Sequence, residues 1–247
     1  MENQLLSNDF YLLAFDTSGK SLSIAILKQD QLLAEKFLNI NNQHSVNFLP
    51  ALKGLLEETN LSFNDISALA VSIGPGSFTG IRIGVSTANT MAFDLNIPIF
   101  GISSLKALAE PLLSTDKYLL PAFDARGGRV YATLLKDGEI MIDDRQFVDN
   151  DLVQLLNEKN LQNKKILTIG DGRETVNKLL GSAGFSNISQ IQNNDHLNYI
   201  SAESIARLAL KQIQTEPDIL MKKFQNPIVP EYCAITQAER NLKKNKN

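Results

Sequence analysis

The chain has 247 residues, 43% of them apolar and 21% charged, with a formal net charge of −3. This is the balance of a globular protein of one large or two ordinary domains, and it offers no basic face with which to grip nucleic acid unaided. A single cysteine, Cys233, excludes an internal disulfide and fits a reducing cytosol. No cationic stretch precedes the first apolar residues and no apolar run reaches the ~20 residues that span a bilayer, so the expectation is a cytoplasmic chain with no membrane contact.

In chain order, Tyr11–Phe15 is an apolar strand that stops at Asp16, and Thr17, Ser18, Gly19 and Lys20 form a small polar turn. Leu22, Ile24 and Ile26 alternate with small or polar neighbours as in a half-buried strand. Gln29-Asp30 reads as a turn and Leu32–Phe37 as a third strand. Asn41 and Asn42 suit the cap of a helix on which Val46, Leu49, Leu52 and Leu56 share one side. Ile66–Ile73 is a continuous apolar strand of the buried parallel type. A Gly-rich turn, a helix to about Asp94 and a strand Ile97–Phe100 complete the pattern.

The pattern then repeats. Leu119-Leu120-Pro121-Ala122-Phe123-Asp124 echoes Leu12-Leu13-Ala14-Phe15-Asp16, with Gly127 and Gly128 at the turn. Val130–Leu135, an Asp137-Gly138 hairpin turn and Ile140–Phe147 follow. Next come a helix over Leu152–Glu158, a strand Lys165–Ile169 and a helix Glu174–Leu180 that Gly181 is placed to end. The last elements are a strand Ile188–Ile191 and a helix capped by Ser201 that carries Ile205, Leu208 and Ile213. Two βββαβα-type halves imply an α/β, duplicated fold of the actin/Hsp70/sugar-kinase (ribonuclease H-like) kind. The expected divisions are residues 1–105 and 106–226 for the halves and 227–247 for a C-terminal segment. That segment ends in a Lys/Asn-rich run that reads as a solvated tail or as a contact for an RNA backbone.

In kinases of this fold the first hairpin of each half cradles phosphates, which makes Asp16, Thr17, Ser18, Asp124, Arg126 and Arg129 candidates for phosphate-binding turns, vestigial or active. Two carboxylates can hold a magnesium–phosphate, or each can cap its own tight turn. The tip of the first turn carries Thr17 and Ser18 where close phosphate approach favours glycine. The run Gly74-Pro75-Gly76-Ser77-Phe78-Thr79-Gly80 lacks the Lys-Ser/Thr ending of a phosphate loop. Pro75 also stands where a G-x-S-x-G elbow has its first glycine, and nothing places His44 or His196 beside Ser77 as a base. The run therefore reads as a turn launching a helix, capped by Ser77 or Thr79. On that helix Gly80, Gly84, Ala88 and Ala92 recur every fourth residue, a stripe for close packing against this chain's own sheet or against another subunit. No metal site is expected: His44 has Phe48, not a second histidine, four residues on.

Ala14-Phe15-Asp16-Thr17-Ser18, His44-Ser45 with Leu49-Pro50, the run Ser72–Gly84, Gly101-Ile102-Ser103-Ser104-Leu105 and Phe123-Asp124-Ala125-Arg126 with Val130-Tyr131 together resemble the TsaB family of bacterial tRNA threonylcarbamoyladenosine biosynthesis proteins. The likeness runs in order over nearly the whole chain. It implies a non-catalytic subunit that binds and activates a catalytic paralogue of the same fold, TsaD, alongside a small ATPase, TsaE. The complex adds a threonylcarbamoyl group to the adenosine beside the anticodon of tRNA. No cofactor is implied for this chain, since ATP and magnesium belong to the partner subunits, tRNA is met through the complex, and a homodimer forms in isolation. The family's interface uses the helices near Ser45–Glu57 and Thr79–Ala92, which assigns His44, Phe48, Leu52, Thr79, Gly80, Ile83, Gly84, Thr87, Ala88 and Met91 to the partner interface. The sequence departs from the family at Pro230-Glu231-Tyr232-Cys233-Ala234, where an arginine commonly stands last. The alternative function is a stand-alone ATP-dependent kinase or ATPase of the actin-like fold, and a metallopeptidase is third.

Overall fold

A computed structural model describes residues 9–39, 43–148, 150–193, 195–221, 224 and 226–233. The first set of elements is β1 (Tyr11–Asp16), β2 (Ser21–Lys28), β3 (Gln31–Asn39), α1 (His44–Glu58), β4 (Ala68–Gly74), α2 (Phe78–Leu95), β5 (Ile99–Ser103) and α3 (Ser104–Ala109). The second is β6 (Tyr118–Asp124), β7 (Val130–Lys136), β8 (Glu139–Phe147), α4 (Asp151–Glu158), β9 (Ile166–Ile169), α5 (Arg173–Ser182), β10 (Ile188–Gln190) and α6 (Ala202–Thr215). The strands form two five-stranded sheets, ordered β3-β2-β1-β4-β5 and β8-β7-β6-β9-β10. In each, the first three strands are antiparallel and the last two add in parallel. The same order and sense in both sheets is the duplicated actin-like α/β arrangement expected from the repeated sequence pattern.

The described residues divide into two compact units, 9–111 with 199–230 and 112–198 with 231–233. The expected divisions lie at 105/106 and 226/227. In the first unit α3 stays with β4 and β5, and α6 packs on β1, β2, β4 and β5. The apolar side of α6 (Ile205, Ala206, Ala209, Leu210, Ile213) is fully or nearly buried, so the helix belongs with the sheet that covers it. Residues 227–230 also stay with the first unit, where the side chain of Asn89 bonds both backbone groups of Ile228. The Lys/Asn-rich tail and Ala234 lie outside the described residues.

The core of the first unit brings Leu13 and Phe15 of β1, Leu22, Ile24 and Ile26 of β2 and Leu69 and Val71 of β4 against α1 and α2. Phe15 meets Phe48 edge-to-face at 4.7 Å between centroids. The buried face of α1 is His44, Phe48, Ala51, Leu52, Leu55 and Leu56, rotated from the expected stripe, with Val46 and Leu49 left 72% and 53% exposed. Asn41 and Asn42 lie outside the described residues, and the N-cap position falls at Gln43. In the second unit Leu120, Ala122, Val130, Ala132 and Leu134 pack with Leu152, Leu156, Val176 and Leu180 of α4 and α5. The Asp137-Gly138 hairpin has the two positive φ values of its expected turn type, 52° and 83°. Gly181 does not end α5; the helix runs through it to Ser182, and Gly184 takes the left-handed position at φ 84°. Ser201 caps α6 as expected, accepting from the Glu203 amide at 3.1 Å. Among the described residues no helix is long and apolar enough to cross a membrane.

Candidate functional site

The turn between β1 and β2 is closed. Asp16, Thr17 and Ser18 are 1%, 0% and 2% exposed. One carboxylate oxygen of Asp16 accepts from the Ser18 amide at 3.0 Å, from the Ser18 hydroxyl at 2.7 Å and from the Ser72 hydroxyl of β4. Burial pushes the Asp16 carboxyl above its ordinary range, against the opposing pull of these three bonds and of nearby His44. Thr17 donates its hydroxyl to the Gly80 carbonyl at 2.7 Å, and the Ser77 amide donates to the Ser18 carbonyl at 2.7 Å. The ring of His44 is buried and donates from Nε2 to the Gly19 carbonyl at 3.0 Å. The expected phosphate-binding turn at Asp16, Thr17 and Ser18 is thus a buried one: its named hydroxyls and one Asp16 oxygen bond within the fold, and Ser77 and Gly80 lie against it.

The small-residue stripe on α2 supplies the space for this closure. A Cβ on Gly80 would overlap the Thr17 carbonyl oxygen, and one on Gly84 would overlap the Thr17 hydroxyl while lying 3.3 Å from Val71. A Cβ on Gly76 would overlap the Ser18 carbonyl oxygen. Of the two readings of the stripe, the one facing the chain's own sheet is observed. Ser77 caps α2, accepting from the Gly80 amide at 3.3 Å. Of the expected interface residues, His44, Phe48, Leu52, Gly80, Gly84 and Ala88 are buried within this chain.

The corresponding turn in the second unit is open. Asp124 and Arg126 are exposed, and Arg126, Gly127 and Gly128 all take positive φ (63°, 64° and 76°). Asp124 caps the turn by accepting from the Arg126 amide at 2.8 Å, and its own amide donates to Asp171 at 2.9 Å. Arg129 donates from Nε to the Arg126 carbonyl at 3.0 Å. Among the described residues no group of three or more His, Cys, Asp or Glu side chains is placed to hold a metal ion.

On the outer side of α1 and α2 lies a groove of about 510 Å³. Leu49, Phe63, Met91 and Leu95 give it an apolar lining, Ser86, Thr87 and Thr90 add hydroxyls, and Asn64 and Asp94 contribute polar groups. Thr79 is exposed and Ile83, Thr87 and Met91 are half-buried, so these four of the expected interface residues stay accessible. Phe93, 72% exposed, extends the apolar surface of α2. Sequence reasoning missed Ser72, Phe63 and Asp94 as parts of either feature. Ser72 had a signal, being a hydroxyl inside the apolar run of β4, whereas Phe63 and Asp94 join the groove only through packing.

The family model described as TsaD: tRNA N6-adenosine threonylcarbamoyltransferase matches residues 31–242. The chain is 37% identical over 182 residues to the tRNA threonylcarbamoyladenosine biosynthesis protein TsaB of Bacillus subtilis, across 70% of this chain and 78% of that one. It is 28% identical over 230 residues to the protein of the same name from Haemophilus influenzae, across 86% of this chain and 96% of that one. Among solved structures, YeaZ from Pseudomonas aeruginosa shares the fold with a TM-score of 0.68 at 23% identity, across 85% of this chain and 94% of that one.

Proposed function

This chain belongs to the TsaB family of tRNA threonylcarbamoyladenosine biosynthesis proteins, and from that premise we propose that it is the accessory, non-catalytic subunit of the tRNA-modifying assembly. It binds the catalytic TsaD-type paralogue through the outer faces of α1 and α2 and leaves the chemistry to that partner. ATP and magnesium are held by the paralogue and by a TsaE-type ATPase, and tRNA is met through the complex. The observation that carries this reading is the uncovered apolar groove on α1 and α2, in a chain whose first turn is buried. A helix pair with an apolar outer face is a docking surface for helices. The same groove accommodates a second copy of this chain when the paralogue is missing.

The residues to test are those that line the groove, not the buried stripe. Met91→Arg places an unpaired charge in the apolar lining and is expected to weaken pairing with the purified paralogue by about a hundredfold or more. Loss of tRNA modification in the reconstituted assembly accompanies it, while the circular dichroism spectrum of the variant is unchanged. Normal pairing of the folded variant overturns the proposal. Nucleotide hydrolysis by the pure chain, abolished by Asp124→Asn, would replace it with the stand-alone ATPase reading.

A further inference from the structure

Asp94 occupies a poor position for a free helix. It lies in the last turn of α2, where the helix macrodipole is negative, and no basic residue accompanies it in that turn. Its side chain is exposed, and among the described residues it has no ion-pair partner. Some carboxylates elsewhere are paired: Glu58 has Lys36 at 2.9 Å, Asp116 has Lys165 at 3.2 Å and Glu203 has Arg207. Nearby Asp65 is occupied by the amide and hydroxyl of Ser62, each at 2.7 Å, which holds its carboxyl below the ordinary range. Asp94 alone places an uncommitted charge in the lining of the apolar groove.

We propose that Asp94 selects what the groove accepts: a partner helix with an apolar ridge and a Lys or Arg set against the end of α2. The inference rests on the reading of the groove as the paralogue's docking site. The lining residues of α2 run from Ser86 to Leu95, a rise of about 14 Å, so the seated helix makes contact over roughly two and a half turns. Its apolar side chains at i, i+4 and i+7 meet Leu49, Phe63, Met91 and Leu95. A cation one turn further on satisfies Asp94 and relieves the carboxylate–dipole conflict at the same time. The free chain keeps an unfavourable charge because the complex uses it, which gives the groove a charge requirement that an apolar ridge alone does not meet.

The test measures two quantities on the full-length chain with Asp94→Asn and Asp94→Lys: the Tm of the chain alone and its Kd for the purified paralogue at low and high salt. Both variants are expected to raise Tm and to weaken pairing, Asp94→Lys by about tenfold at low salt, with the salt dependence of pairing reduced. Met91→Arg, measured alongside, reports on the groove itself. Loss of pairing in Met91→Arg with unchanged pairing in Asp94→Lys overturns the charge requirement and leaves the groove standing. Unchanged pairing in both variants overturns the docking site as well. If only self-association of the chain responds to Asp94→Lys, the selected occupant is a second copy, and the proposal fails for the paralogue.

Discussion

The closed turn at Asp16 has a consequence in solution. Its carboxyl titrates above the ordinary value of 3.8 in the folded chain, because burial outweighs the hydrogen bonds from Ser72 and Ser18. The folded state therefore binds its proton more tightly than the unfolded state. Stability contributed by the protonated form is fully present below pH 3.8 and is lost as the pH rises from there through the raised folded value. Asp16→Asn keeps an oxygen to accept the three bonds and removes the titration, so the variant is expected to show a flatter dependence of urea midpoint on pH above 3.8. A midpoint that tracks the wild-type pH profile would exclude Asp16 as its source. Some of this site was legible from residue types: Thr17 and Ser18 in place of glycine argued against phosphate, and the fourfold spacing of Gly80, Gly84, Ala88 and Ala92 announced close packing. What the spacing lacked was direction. The overlap of a Gly84 Cβ with the Thr17 hydroxyl shows the stripe turned inward, so a large residue there tests folding and not pairing.

Strong hydrophobic periodicity marks an element, but it does not settle which side is buried where one helix carries two apolar faces. On α1, Phe48, Leu52, Leu55 and Leu56 are core while Val46 and Leu49 are not, and periodicity cannot separate a face meant for the sheet from one meant for a partner. A second blind spot is the pairing of distant residues. Glu35 on β3 accepts the Ser201 hydroxyl at 2.7 Å, the Ser23 hydroxyl at 2.9 Å and the Glu203 amide at 3.2 Å, while the Ala202 amide donates to Ser23 at 2.9 Å. This carboxylate adds an external cap to α6 beside the local one from Ser201, and at the positive end of the helix dipole it is well placed electrostatically. No local motif announces it, because 166 residues separate Glu35 from Ser201. Glu35→Ala leaves these donors without their shared acceptor and is expected to cost about 1–2 kcal/mol, read as a lower urea midpoint at unchanged m-value. A change below a few tenths of a kcal/mol would mean that water replaces the carboxylate at the cap.

At the scale of the whole chain, the repeat predicts two halves in series, with the first ending at residue 105 and the last helix belonging to the second. In the structure α3 stays with β4 and β5, and α6 completes the sheet built from the N-terminus. Sequence pattern gives α6 an apolar stripe but no address for it, and the address depends on which sheet face is left uncovered. Ile205, Leu210 and Ile213, each at most 5% exposed, contribute roughly 1.5–3 kcal/mol apiece by burial. Their sum is a large part of the 5–15 kcal/mol that typically holds a domain together. The second unit, by contrast, has its five strands and two helices within residues 112–198. A fragment of residues 1–198 is therefore expected to lose the first unit and keep the second. In hydrogen exchange, amides of β1, β2 and β4 would exchange rapidly while those of β6, β7 and β9 stay protected. Protection of β1 at its full-length level would mean that the first sheet holds without α6. Because α1 and α2 lie on that same sheet, the fragment should also fail to bind the proposed paralogue partner, which would link the proposed docking surface to the last helix of the chain.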